Sequence, residues 1–142
     1  MSASNEAAVL AYLKIFHEGN PPDIGTLKRY LAPHAVYWPL VPSAAPIHGA
    51  DAICAGIVRQ FGMYRDCTCE VHAIGSGGNH VFTERTDHVV LHHDDRTVSA
   101  RLSAVFELDG DGLIISWREY WDSEEIVRQM GVTRMEMEAS IG

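Results

Sequence analysis

Arg85 and Asp87 stand two residues apart in "TERTDHVV", between the apolar Phe82 and Leu91. The segment has the period-two alternation of a strand, in which every second side chain shares a face. One face carries Thr83, Arg85, Asp87, Val89 and Leu91, and the other carries Phe82, Glu84, Thr86, His88 and Val90. Charges on the face that holds Val89 and Leu91 are costly in a core unless they are partnered. A partner is available in "GLIISWREYW", where Trp117, Glu119 and Trp121 share a face opposite Arg118 and Tyr120. If both faces turn inward, an acid, an arginine and a second acid meet, and one guanidinium fork can serve both carboxylates. Two carboxylates in unlike surroundings can divide the acid and base roles at one pH. The same residues also fit a structural ion-pair network or the solvent face of a sheet, and spacing does not choose among these.

Such residues need a scaffold. "NEAAVLAYLKIFHEGN" spaces Val9, Leu10, Leu13, Ile15 and Phe16 as a helix does, with Ser4 or Asn5 able to cap its start. "DIGTLKRYL" predicts a short second helix capped by Asp23. "HAVYWPLV" reads as a brief extended piece interrupted by Pro39, and "VPSAAPIHG" as a loop. "ADAICAGIVRQFGM" predicts a third helix with Ile53, Ile57, Val58 and Phe61 inward. From Asp66 onward "CTCEVHAIGS", "HVFTERTDHVVLH", "RTVSARLSAVFEL" and "GLIISWREYW" read as four strands, with turns at "HHDD" and "DGDG". "SEEIVRQMG" reads as a short helix or turn before a polar tail.

The order predicts an α+β domain over residues 1–142: a curved, mostly antiparallel sheet forming a cone, with about three helices on one side and a deep pocket. Residues 132–142 are expected to be a flexible tail or a lid. Val89, Ala100 and Leu102 fall on the inward faces and, with Trp38, Trp117 and Trp121, are the candidate pocket wall. Met63 and Tyr64 add to it, and His48 is a candidate substrate contact at the mouth. Apolar walls around Glu119 would raise a carboxylic acid's pKa by desolvation.

The 142 residues are 46% apolar and 21% charged, a globular composition. The net charge of −8 argues against nucleic acid or an anionic membrane as partner. Three cysteines with no CxxC fit a reducing cytoplasm, and "MSASNEAAVL" lacks the basic and apolar regions of a signal peptide. Cys67 and Cys69 point to one face without the further ligands a metal site needs. His92, His93, Asp94 and Asp95 fall in a predicted turn, and His88 falls on the outer face, a candidate subunit interface. No metal and no cofactor is expected.

"VFTERTDHV" together with "SAVFELDGDGLIISWREYWD" resembles the limonene-1,2-epoxide hydrolase group of the NTF2-like, or SnoaL-like, superfamily. The resemblance implies that Asp87 protonates an epoxide oxygen, Arg85 bridges the two acids, Glu119 deprotonates water and Tyr37 helps hold that water. Two positions depart from the family pattern. Glu119 stands where the family has Asp, and Pro39 where it has an Asn that also holds the water. The implied activity is addition of water to an epoxide of a small hydrophobic or aromatic molecule, without a cofactor. Lyase, isomerase or cyclase chemistry on an aromatic or polyketide-like substrate is the alternative, and a non-catalytic small-molecule carrier is a third. A homodimer is expected, since an open antiparallel sheet often covers a face by pairing and the resemblance implies dimers.

Overall fold

The period-two segments pair into one mixed sheet. The computed structural model describes residues 2–141. In chain order the elements are α1 (Ser2–Ile15), α2 (Ile24–Lys28), β1 (Leu31–Trp38), β2 (Ile47–His48), α3 (Ala50–Gln60), β3 (Tyr64–Gly77), β4 (His80–Leu91), β5 (Thr97–Leu108), β6 (Ile114–Trp121), α4 (Ser123–Met130) and α5 (Arg134–Ile141). The strand order is β2-β1-β6-β5-β4-β3. β1 runs parallel to β6, and every other neighbouring pair is antiparallel. The fold is therefore α+β around a six-stranded sheet that is not closed, with β2 and β3 as its edges.

Register fixes which side chains meet. Arg85 lies opposite Leu102 and Asp87 opposite Ala100 on β5. Ala104 in turn faces Glu119, and Leu102 faces Trp121, on β6. A one-residue slip would send each of these to the other face. The turns that set the register use the residue types such geometry requires. The β5–β6 turn is closed by the Asp109 carboxylate, which accepts from the amides of Asp111 and Leu113, with Gly112 at φ 80.

α1 packs on β3 and β4, α3 on β1, and α4 on β5. The main core joins Val9, Tyr12 and Leu13 of α1 to Ile53 and Ile57 of α3 and to Phe106 and Trp117 of the sheet. A smaller cluster of Leu91, Val98, Ile126, Met130 and Met137 lies under α4 and α5. Val89, Ala100 and Trp121 pack against both clusters, so the space between them runs along the β4–β6 face.

The segment expected to be a tail or lid is α5. Its start is a capping box: the Glu136 amide donates to Thr133 Oγ1 at 3.1 Å, and the Thr133 amide donates back to Glu136 Oε1 at 3.3 Å. Met137, 1% exposed, anchors it over the smaller cluster. The preceding α4 is capped by Asp122, which accepts from the amides of Glu124 and Glu125, and ends at Gly131 with φ 67. α4 is pinned to β5 by Gln129, which accepts from the Ser99 amide and donates to the Ser99 carbonyl.

Several local expectations need correction. The extended piece begins at Leu31 rather than His34, and the loop before α3 contains the two-residue edge strand β2, paired with Val36 and Tyr37. Pro33 sits inside β1 because the β1–β6 register shifts between Leu31 and Val36, where no ladder donor is required of it. Val58 is 42% exposed, because it lies off the Ile53–Ile57 stripe by about 100° of helix turn. No helix among the described residues is long and apolar enough to cross a membrane.

Ile57 is fully buried in α3, against the main core. Ile57→Ala is expected to cost about 2–5 kcal/mol, read as a lower urea midpoint at unchanged slope. A change within about 0.5 kcal/mol would mean that α3 does not pack as described.

Candidate active site

β4 and β6 are separated by β5, and Arg85, opposite Leu102, reaches diagonally across β5 to Glu119, opposite Ala104. Arg85 Nε donates to Asp87 Oδ1 at 2.8 Å and Nη2 to Asp87 Oδ2 at 3.1 Å. The same Nη2 donates to Glu119 Oε2. Glu119 has two further donors. Trp117 Nε1 donates to Oε2 at 3.0 Å, and the Tyr37 hydroxyl donates to Oε1 at 3.3 Å. Tyr37 is held flat against Trp117, with ring centroids 3.8 Å apart. The β1–β6 register places Tyr37 and Trp117 side by side.

The three charged groups differ in exposure. The side chains of Arg85 and Glu119 are 3% and 9% exposed, and that of Asp87 is 22%. Burial pushes Glu119 upward from the ordinary carboxylate range. The Arg85 charge pulls it back and the Asp87 charge adds to the rise, and the net direction is up. Burial pulls Arg85 down, but Glu119 and Asp87 outweigh it and hold the guanidinium charged. Burial, followed by the nearby Glu119 charge, raises the Tyr37 phenol well above its usual value, so it remains a donor at neutral pH.

An apolar cavity of about 130 Å³ opens beside this network. Its polar end is formed by Tyr37, Gln60, Tyr64, Asp87 and Glu119, and its walls include Val89, Ala100, Leu102, Trp121 and Met137. Ser140 and Ile141 close part of it from α5. An inner chamber of about 40 Å³, large enough for water, lies against Arg85, Trp117 and Cys69. Arg85 Nη1 is buried with no hydrogen-bond partner. Among the described residues no three His, Cys, Asp or Glu side chains converge as metal ligands.

The structure thus brings Tyr37, Arg85, Asp87 and Glu119 into one hydrogen-bonded network, and sets Val89, Ala100, Leu102 and Trp121 along the cavity. Trp117 borders the inner chamber and serves Glu119 through its N–H rather than forming the outer wall. Two expected contacts lie elsewhere. Trp38 follows Tyr37 on β1, so alternation turns it away from the cavity. His48 is exposed on the edge strand β2, with its Cα opposite Val36. Pro39 does line the cavity, and its carbonyl accepts from Trp121 Nε1 at 2.8 Å. Sequence reasoning missed Gln60, a buried amide at the polar end; it lies at i+3 from Ile57 and i+7 from Ile53, a polar residue on the inward stripe.

Comparison with known proteins agrees with this architecture. Residues 9–117 match the family model of the SnoaL-like domain, and the chain belongs to that family within the NTF2-like superfamily. It is similar to an LEH-like epoxide hydrolase from M. tuberculosis, with 28% identity, a TM-score of 0.75, and coverage of 92% of this chain and 94% of the other. It also shares its fold with SalBIII, an epoxide hydrolase/cyclase-like enzyme in pyran ring formation in the polyether salinomycin (19% identity, TM-score 0.76, 87% and 94% covered). A third likeness is a protein of ketosteroid isomerase-like fold from Catenulispora acidiphila (16% identity, TM-score 0.77, 90% and 95% covered).

Arg85→Met removes the cation between the buried Glu119 and the half-buried Asp87. The variant is expected to lose about 3–5 kcal/mol of stability in urea unfolding, because the carboxylates are left uncompensated. Unchanged stability would show that the guanidinium does not hold the pair.

Proposed function

We propose that this protein is a cofactor-independent acid–base enzyme that opens an epoxide of a small hydrophobic molecule by adding water. The observation that carries the reading is the Arg85 guanidinium joining Asp87 and Glu119 at the polar end of an apolar cavity. The likeness to the M. tuberculosis epoxide hydrolase supports it.

In this reading the site holds one proton between two carboxylates. Glu119, bound by three donors and nearly buried, is the base. A carboxylate with a raised pKa takes up a proton more readily than an ordinary one once ionised. It accepts a proton from water as the water oxygen bonds to an epoxide carbon. The carbon–oxygen bond of the ring breaks, and protonated Asp87, the acid more open to the cavity, gives its proton to the leaving oxygen. The product is a vicinal diol. The proton has moved from Asp87 to Glu119, and exchange with solvent resets the pair. Arg85 stays cationic throughout and stabilises whichever carboxylate is ionised. Tyr37 aims a hydrogen bond at the base.

A second reading has one specific observation behind it. Beside Glu119 the cavity wall is Pro39, which offers no side-chain polar atom, and its carbonyl is already taken by Trp121. A hydroxyl carried by the substrate can then take the place of water, and the same steps close a cyclic ether instead of forming a diol. The fold shared with an epoxide hydrolase/cyclase-like enzyme fits that variant.

A panel of apolar epoxides in ¹⁸O-labelled water separates these outcomes by mass. Water addition is expected to place one labelled oxygen in each diol, whereas ring closure places none. Asp87→Asn is expected to lower kcat by about 10²–10⁴-fold. Full activity in that variant, or no turnover of any epoxide by the wild type, would sink the proposal.

The pH profile carries a sign. The base must be ionised to work, so kcat falls as pH drops through the Glu119 pKa. Because burial raises that pKa, the acid limb is expected above the ordinary glutamate value of about 4.3. A limb at or below that value would contradict the assignment of Glu119 as base.

A further inference from the structure

The acid–arginine–acid network stands on the boundary between two spaces of unequal size. On β4 the inner chamber is bordered by Arg85 and the cavity by Val89 and Leu91, with Asp87 touching both. On β6 the chamber is bordered by Trp117 and the cavity by Trp121, with Glu119 touching both. β4 and β6 each run antiparallel to β5, so they point the same way and their divisions coincide. The carboxylates therefore face about 130 Å³ on one side and about 40 Å³ on the other.

The small side is a dead end. It stops at Leu13 and Phe16, which belong to the main core. The rings of Phe16 and Trp117 meet edge to face there, with centroids 6.2 Å apart. Such a space takes water and not a carbon skeleton. The large side runs on along the sheet. From Asp87 to Leu91, β4 advances by four residues, roughly 13 Å at the usual rise. The polar groups of Trp121 and Ser140 along this path are spent within the protein. Trp121 Nε1 donates to the Pro39 carbonyl, and Ser140 Oγ donates to the Met137 carbonyl at 2.6 Å. The far end is closed by Ile126 and Met130 of α4 and Met137 of α5. α4 is pinned to β5 by Gln129, whereas α5 is tied to the start of α4 by Arg134 and to the cavity by Met137.

An epoxide in the middle of a chain projects carbon on both sides of its ring. An epoxide at the end of a skeleton projects carbon on one side. Only the second shape lets both carboxylates reach the ring while the chamber is left to water. We propose that the substrate is an epoxide carried at the end of an apolar skeleton, bound with that skeleton along β4 and its far end against Met137. The proposal rests on the acid–base reading of Asp87 and Glu119, and it fixes where the rest of the substrate lies. Phe16 then excludes a second carbon arm, and Met137 is the length stop.

Two pairs of isomers test this on the whole chain. 1,2-Epoxyoctane and 4,5-epoxyoctane differ only in where the ring sits. Octan-1-ol and octan-4-ol place one oxygen at the same two positions and cannot react. Their binding is read from tryptophan fluorescence, to which Trp121 at the cavity and Trp117 at the chamber contribute. The wild type is expected to favour the terminal epoxide in kcat/KM, and octan-1-ol in Kd, by about tenfold or more. Phe16→Ala opens the chamber and is expected to bring both ratios toward unity. Met137→Ala is expected to leave them in place and to raise kcat/KM for 1,2-epoxydodecane over 1,2-epoxyoctane by about tenfold.

Equal binding of the two alcohols, or a wild-type preference for the internal epoxide, overturns the proposal. So does a preference that Phe16→Ala leaves unchanged, because the chamber would then not be its source. An unchanged chain-length preference in Met137→Ala removes Met137 as the stop. If Phe16→Ala does not fold, the alcohol pair on the wild type decides alone. If the wild type opens no epoxide, the hydrolase reading falls, and the alcohols still decide whether a ligand binds end-on.

Discussion

A guanidinium buried in an apolar interior costs several kcal/mol unless its charge is compensated, and the Arg85 side chain is only 3% exposed. The rest of the site can be read as the consequence. Two carboxylates must come to it, one from its own strand and one from a strand two places across the sheet. The reach from Arg85 to that second carboxylate crosses β5 on the diagonal from Leu102 to Ala104. The second carboxylate is itself buried, so it needs donors of its own, which Trp117 and Tyr37 supply. Tyr37 can do so because β1 lies parallel against β6.

The apolar surroundings that make this network expensive also give it chemical use. Helices α4 and α5 cover the cavity between the two hydrophobic clusters, and their Ile126, Met130 and Met137 face the same space as Val89 and Leu102. Burial lifts Glu119 above an ordinary carboxylate, and the Arg85 charge opposes the lift. Asp87, more open to the cavity, is the carboxylate that would meet the substrate in the proposed reaction. Methionines in the wall suit it to apolar ligands of varied shape, since their side chains adjust at little cost.

The charged face was legible in the sequence because strand alternation is rigid. Once Val89 and Leu91 turn inward, Arg85 and Asp87 have no choice, and the same holds for Glu119 between Trp117 and Trp121. Chain turns and ends were less legible. The two-residue β2 is too short to show a period, and its pairing is set by β1 rather than by its own residues. α5 has almost no apolar stripe, yet "TRME" was a readable capping box at its start. Trp38 adjoins Tyr37 on β1, so alternation turns it away from the cavity that Tyr37 lines, and His48 depended on a loop path that sequence does not determine. Gln60 was hidden because a polar residue near a helix end looks like surface, although its spacing from Ile53 and Ile57 pointed inward.

The central claim is that Asp87 and Glu119 work as one unit through Arg85. A double-mutant cycle measures this directly, using kcat for Asp87→Asn, Glu119→Gln and the double variant on one epoxide. If the carboxylates share one proton-transfer event, losing either stops it, and the double variant should be about as slow as the slower single one. If instead the two losses multiply in full, the carboxylates act independently, and the account of a coupled acid–arginine–acid site is contradicted.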